Sequence, residues 1–120
     1  FSTAIKSIYS QCATCGFQYD YVLDAAHIIP VAEGGTDTLD NGLGLCPRCH
    51  RLFDKGYILI DNNYMIFINP TFAEHFQAQG LAGSLDRLQA ELRPSLWLPA
   101  DEDHWPSQYN LKRIFDARRG

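Results

Sequence analysis

The chain has 120 residues, of which 46% are hydrophobic, and its formal net charge is -4. That length suits one compact domain. No apolar run reaches the roughly 20 residues of a membrane span and no secretion signal is visible, so we expect a cytoplasmic protein. Proteins that bind nucleic acid usually carry a basic surface, so such a site here would need a local basic patch. The chain begins with Phe1 rather than Met, which predicts an excised domain or a processed product.

The predicted elements begin with a short helix over residues 2–10, where apolar side chains recur at helical spacing. A cysteine knuckle follows at residues 12–16. The segment 19–29 is rich in β-forming residues and predicts a strand, which Pro and Gly residues then break into a loop. A second, shorter strand is predicted over residues 39–45.

A helix is predicted over residues 46–55, because its second residue is a proline and Gly56 can end it. A β-hairpin follows, with strands at 57–60 and 64–68, and we expect its asparagines to provide the positive φ of the turn.

The C-terminal third is less regular. Residues 71–79 are weakly helical, and residues 80–106 show no clear pattern. Residues 107–119 predict a closing helix, because apolar side chains fall on one face and a serine stands at its start.

The four cysteines form two Cys-X-X-Cys pairs, Cys12 with Cys15 and Cys46 with Cys49. Two such pairs, each on a tight turn, are typical of a tetrahedral structural zinc site. Without a secretion signal a reducing compartment is expected, where disulfides are rare. The pattern therefore favours one zinc ion held by four thiolates, with disulfides or a redox role as the alternatives.

Three short motifs carry candidate chemistry. His27 follows Asp24 on the predicted first strand, Asn41 stands in the second, and the helix contains His50 and Asp54. The last two are spaced i and i+4, so they share one helix face, where an imidazole and a carboxylate can hold a divalent ion. A hairpin packed on the helix would bring His27 towards that ion.

The order His27, Asn41, His50, enclosed by the two cysteine pairs, resembles the motif of the HNH nuclease family. The resemblance covers residues 12–56, and residues 52–60 also resemble a subgroup common in bacterial restriction and defence proteins. The matching residues are Ala26-His27-Ile28-Ile29-Pro30, Gly34-Gly35, Asn41-Gly42 and Cys46-Pro47-Arg48-Cys49-His50.

The resemblance implies an α+β fold with a ββα-metal (His-Me finger) core and a structural zinc, followed by a β-hairpin and C-terminal helices. We expect a single HNH domain over residues 1–120, with its core at 12–56 and an extension at 57–120. It implies a prokaryotic cytoplasmic endonuclease with DNA as partner, and with a recognition domain in the same chain. RNA as substrate and a homodimer stay open.

The resemblance also implies a metal-dependent mechanism with one divalent ion, Mg²⁺ or Mn²⁺. His27 corresponds to the general base that takes a proton from the attacking water, for which a histidine pKa is suited. His50 corresponds to a ligand of the ion, and Asp54 occupies the place of a second ligand. Asn41 corresponds to the residue that pins the loop and orients His27.

One position departs from the family pattern. Many members carry a ligand directly before the catalytic histidine, where this chain has Ala26. Asp24 lies two residues earlier, and a regular strand points both side chains to the same side. We therefore predict Asp24 as a further ligand; the alternative is an ion held by His50 and Asp54 with waters.

Arg48, Arg51 and Lys55 lie on the predicted helix and are candidate contacts to nucleic-acid phosphates. The commoner role of such charges is to solvate a helix face. The competing function is a non-catalytic, zinc-stabilised module that binds nucleic acid or protein. The acidic net charge and Ala26 support that alternative.

Overall fold

The structure, a computed structural model, describes residues 1–119 except for the side chain of Asp20. It combines two small antiparallel strand pairs with helices that lie before, between and after them. Along the chain the helices and strands are α1 (Ser2–Ile8), β1 (Asp24–His27), β2 (Gly42–Leu45), α2 (Pro47–Asp54), β3 (Ile58–Ile60), β4 (Ile66–Ile68), α3 (Pro70–Ala78), α4 (Ala82–Glu91) and α5 (Gln108–Arg118).

The predicted ββα unit is confirmed. Strands β1 and β2 pair antiparallel, with His27 opposite Gly42, and α2 follows β2 directly. The sulfur of Cys46 caps the first turn of α2 by accepting a hydrogen bond from a backbone amide, and Pro47 occupies the first helical position. Gly56, with φ of 76°, lies just after the helix end, where a left-handed residue can redirect the chain into β3.

Both strands are shorter than the predictions over 19–29 and 39–45. A single 3-10 turn precedes each strand, and the β-forming side chains of the sequence do not signal it. After β1, the backbone amide of Ile29 no longer bonds to the backbone of β2. It donates instead to the side-chain oxygen Oδ1 of Asn41, at 2.9 Å. The ladder therefore ends where the loop that holds the candidate site begins.

The buried strand β2 alternates glycine and leucine because α1 packs closely against it. A Cβ atom at Gly42 would collide with the side chain of Ile5, and one at Gly44 would collide with Tyr9. Both of these partners are buried. The glycines thus allow the N-terminal helix to cover the strand pair.

The second strand pair, β3 with β4, confirms the predicted hairpin but not its turn chemistry. The residue with positive φ is Tyr64, at 65°, and not an asparagine. The carboxylate of Asp61 accounts for this turn, because it accepts backbone hydrogen bonds from Asn63 at 2.8 Å and from Met65 at 3.0 Å. The aspartate closes the turn with its side chain, so the asparagines are not required in the left-handed region.

Three helices follow the hairpin. The side chain of Asn69 caps α3, which occupies the weakly helical segment. Helix α4 lies where the sequence shows no clear pattern; it buries only Leu85 and Leu88, so its hydrophobic periodicity is faint. Helix α5 confirms the predicted closing helix, with Ser107 as its cap.

The hydrophobic core draws on both the motif-bearing segment and the C-terminal segment. It includes, among others, Ile5 of α1, Leu43 of β2, Phe53 of α2, Ile58 of β3 and Leu111 of α5. Across residues 1–119, each helix is too short or too polar to cross a lipid bilayer.

Candidate active site and zinc centre

The two Cys-X-X-Cys turns meet at one point. All four cysteines are free, and their sulfur atoms lie within 4.8 Å of one another, with 3.9 Å between Cys15 and Cys46. Tetrahedral zinc with Zn–S bonds of about 2.3 Å places its sulfurs about 3.8 Å apart. The donor set therefore fits one zinc ion, as the sequence predicts.

Local structure aims the thiols at this point. In the first turn, Gly16 adopts a φ of 80° and its amide donates to the carbonyl of Cys12 at 2.9 Å. In the second, the amide of Cys49 donates to the sulfur of Cys46 at 3.5 Å. The buried hydroxyl of Thr14 lies 3.3 Å from the sulfur of Cys12. Such donors stabilise thiolate charge.

The electrostatics of the cluster favour a cation at its centre. Hydrogen bonding, first from Cys15 and then from the other two thiols, holds the pKa of Cys12 well below its ordinary value. Cys12 in turn raises the pKa of Cys46 and Cys49. Because neighbouring thiolates repel each other, four of them ionise together only around a positive ion.

The middle of α2 carries a second constellation. Nδ1 of His50 lies 2.9 Å from a carboxylate oxygen of Asp24, and Nε2 lies 3.1 Å from one of Asp54. The structure thus brings together all three predicted ligands of the divalent ion. The two carboxylates, however, contact different ring nitrogens, and a histidine normally ligates an ion through one nitrogen while the other is hydrogen-bonded.

His27, at the end of β1, lines a cavity of about 430 Å³ whose wall also includes His50 and Asp54. Its Nε2 lies 2.8 Å from Oδ1 of Asp37, and its ring stacks on Phe1 with 4.1 Å between centroids. One edge and one face of the imidazole are therefore held. With a proton on Nε2 facing the carboxylate, the tautomer leaves Nδ1 with a lone pair.

Asn41 is fully buried and holds the loop that follows β1. Its amide nitrogen donates to the carbonyls of Ile29 at 3.1 Å and Thr36 at 2.9 Å. Its oxygen accepts from the amide of Ile29 and from the side chain of Asn110 on α5, the latter at 3.2 Å. All its polar groups are thus satisfied, and it acts on the site by fixing the backbone between His27 and itself.

Part of this chain is similar to known proteins. The family model described as HNH endonuclease matches residues 12–61. Anaredoxin of Nostoc sp. strain PCC 7120 is 36% identical over 58 residues, which cover 48% of this chain and 75% of that protein. The chain belongs to the HNH endonuclease family.

Two restriction enzymes also resemble this HNH chain. EcoKMcrA, a type IV methyl-directed restriction enzyme of Escherichia coli strain K12, is 40% identical over 47 residues, or 33% of this chain and 17% of the enzyme. The modification-dependent TagI restriction endonuclease superposes with a TM-score of 0.69 at 21% identity, over 99% of this chain and 37% of that enzyme. The latter likeness concerns the fold, and it includes the helices that follow the matched motif.

The predicted nucleic-acid contacts of the HNH chain lie in two different places. Arg51 and Lys55 line a cavity of about 440 Å³ together with the three predicted ion ligands. Arg48 lies elsewhere, because its guanidinium pairs with Glu91 of α4 at 2.9 Å, and this carboxylate raises the pKa of Arg48. The structure therefore brings two of the three basic residues to the site.

Three residues at the site are absent from the sequence predictions. Asp37 holds His27, and Asn110 reaches Asn41 from α5. Arg118, also on α5, lines the His27 cavity. The position of Asp37 within the motif loop is a usable signal, since a carboxylate near a catalytic histidine commonly orients it. The two residues of α5 carry no such signal, because only the docking of that helix brings them near.

Proposed function

We propose that the chain is a metal-dependent endonuclease that hydrolyses DNA phosphodiester bonds. The observation that carries this proposal is the cavity of about 430 Å³ lined by His27 from the strand and by the His50–Asp54 pair from the helix. A base and an ion-binding pair thus border the same space, as attack on a phosphate requires. The likeness to two restriction enzymes supports DNA as the substrate class.

His50 and Asp54 would hold the catalytic ion, Mg²⁺ or Mn²⁺. Their contacting atoms are 3.1 Å apart, and neighbouring ligands of an octahedral ion with bonds of about 2.1 Å lie about 3 Å apart. Such an ion supplies positive charge that stabilises the leaving oxygen. The contact of Asp24 with Nδ1 supports an orienting role for this carboxylate rather than direct ligation.

His27 acts as the general base towards water. Asp37 accepts a hydrogen bond from Nε2–H and so keeps the lone pair on Nδ1, which can remove a proton from water in the cavity. Phe1 limits rotation of the ring through stacking. The side chain of Asn41 holds the loop backbone at Ile29 and Thr36, which makes Asn41 a positioning residue.

Arg51 and Lys55 contact DNA phosphates near the ion, so a local basic patch offsets the acidic net charge of the chain. Target recognition resides in another domain of a longer cytoplasmic protein of a prokaryote. The support for a longer protein is coverage, since the chain spans only 17% of EcoKMcrA and 37% of TagI, against 75% of anaredoxin.

The test is cleavage of plasmid DNA by the parent and by two histidine variants. The parent should cut with Mg²⁺ or Mn²⁺ and not without a divalent ion. His27→Ala should slow cleavage by at least about 100-fold with an unchanged melting temperature. His104→Ala is the matched control, because His104 lies on a 3-10 turn and lines none of the cavities described above. Parental rates in His27→Ala would refute the base assignment, and a parent inactive with every divalent ion would refute the nuclease.

A redox role for the thiols is the second candidate, because the Nostoc relative carries the name anaredoxin. Convergence of the four sulfurs within 4.8 Å favours zinc instead. Thiol titration separates the two: zinc-bound thiolates react only after a chelator is added, whereas redox thiols react at once.

A further inference from the structure

A second cavity, of about 500 Å³, adjoins the proposed active site between the end of α2 and the start of α3. We call it the α3 cavity. It shares Arg118 with the His27 cavity and Lys55 with the cavity beside His50. The α3 cavity therefore continues the surface on which a cleaved strand would lie. Its lining includes Lys55, Tyr57, Thr71, Phe72, His75 and Arg118.

The charge of the α3 cavity is opposite to that of the chain. Its lining includes two permanent cations, Lys55 and Arg118, and His75, with no aspartate or glutamate among the described lining residues. The chain as a whole has a net charge of -4. A wall without carboxylates, beside a phosphate-cleaving site, favours an anionic ligand.

Hydrogen bonds join the walls of the α3 cavity. The buried side chain of Asn69 donates to the carbonyls of Gly56 at 3.0 Å and Arg118 at 3.1 Å, which ties α5 to the end of α2. The guanidinium of Arg118 donates to the carbonyl of Phe53 at 2.8 Å and lies 5.3 Å from that ring centre. This hydrogen bond uses one of the five N–H groups of Arg118.

We propose that the α3 cavity binds a phosphate of the cleaved DNA strand that neighbours the scissile phosphate. This inference rests on the proposed nuclease function. Consecutive phosphates of one strand occupy adjoining sites, and Arg118 borders both cavities, so it lies between the two phosphates. A residue far outside the HNH motif thereby helps to set the path of the strand.

The experiment compares two charge insertions in first helical turns. Thr71→Glu places a carboxylate in the α3 cavity, and Ser84→Glu makes the same change in the first turn of α4. A carboxylate is tolerated at both positions, because the positive end of the helix dipole favours it. Binding of a DNA duplex of about 30 base pairs is measured in the His27→Ala background over a range of salt concentrations.

Thr71→Glu should weaken binding about tenfold and reduce the slope of log K against log salt by about one, whereas Ser84→Glu should change neither. Arg118→Gln should behave like Thr71→Glu, with Arg87→Gln on α4 as its control. Equal behaviour within both pairs would overturn the proposal for the α3 cavity. If each variant binds DNA as its control does but the parent still cleaves DNA, only the proposal for the α3 cavity fails and the proposed nuclease function stands. A parent that neither binds nor cleaves DNA would overturn both proposals.

Discussion

Helix α2 serves two sites that differ in burial, although Cys49 and His50 are neighbours in the chain. Cys49 is fully buried and points into the four-thiol cluster, whereas the side chain of His50 is 29% exposed and borders two cavities. A structural zinc site is closed by four protein ligands, whereas a catalytic ion keeps positions open for water and substrate. Burial thus separates the predicted zinc ligands from the proposed ligands of the catalytic ion.

The largest expected effect on stability comes from removing one of the four cysteine ligands of the predicted zinc site. Cys46→Ser should abolish cooperative unfolding, because thiolate–zinc bonding is worth on the order of 10 kcal/mol in isolated finger peptides. Circular dichroism during heating measures this, with zinc content determined in parallel. His50→Ala is the matched change on the same helix and should leave the melting temperature within a few degrees of the parent. An unchanged melting temperature in Cys46→Ser would contradict the structural role of the cluster.

Asn41 tests the comparison between the two sites, because it is buried like the four thiols but is proposed to position residues of the exposed active site. Asn41→Ala leaves the amide and carbonyl of Ile29 and the carbonyl of Thr36 without their side-chain partner. We expect a loss of about 3 kcal/mol in the free energy of unfolding and a larger loss of cleavage. Urea denaturation and a plasmid assay measure the two, and full activity in a destabilised variant would exclude the positioning role.

Asp37 lies at the other extreme, with a side chain that is 71% exposed. Asp37→Ala should lower kcat for DNA cleavage about tenfold or more, because His27 loses the carboxylate that sets its tautomer, while KM and the melting temperature stay near parental values. Asp40→Ala removes a carboxylate from the same loop and serves as the control. A variant in which KM rises and kcat is unchanged would show that Asp37 only shapes the surface.

The smallest effect is expected at Asn110, whose side chain makes one hydrogen bond within the described part of the chain, to Asn41. Asn110→Ala should cost about 1 kcal/mol of stability and reduce cleavage several-fold. Tyr109→Ala changes the neighbouring, exposed residue of α5 and should affect neither. If the two variants cleave equally well, α5 covers the core without supporting the catalytic loop.

The sequence predicts the segment 12–56 well because its signals are local. Two cysteine pairs, one helical i, i+4 spacing and the motif order His27, Asn41, His50 define the ββα unit and most of its candidate site residues. The rest of the candidate site depends on how distant segments pack together. The hydrogen bond from Asn110 to Asn41 joins residues 69 positions apart, and the hydrogen bond from Arg118 to Phe53 joins residues 65 positions apart. The periodicity of the sequence does not predict contacts between residues so far apart.

Two errors of detail have the same physical origin. The predicted strands extend too far because β-forming side chains do not reveal where a partner strand turns away, as happens at Asn41. Helix α4 was not predicted because it buries only two residues, so its apolar pattern is too sparse to detect. In both cases the neighbouring segment, and not the local sequence, decides the structure.

The most direct test of the two-site account is to measure zinc content and DNA cleavage in the same sample as divalent ions are removed and returned. Dialysis without chelator against ion-free buffer should leave one zinc per chain and abolish cleavage, and added Mg²⁺ or Mn²⁺ should restore cleavage with no change in zinc content. Full cleavage by the zinc-loaded protein without any added divalent ion would contradict the claim that α2 holds a closed structural ion and an open catalytic one.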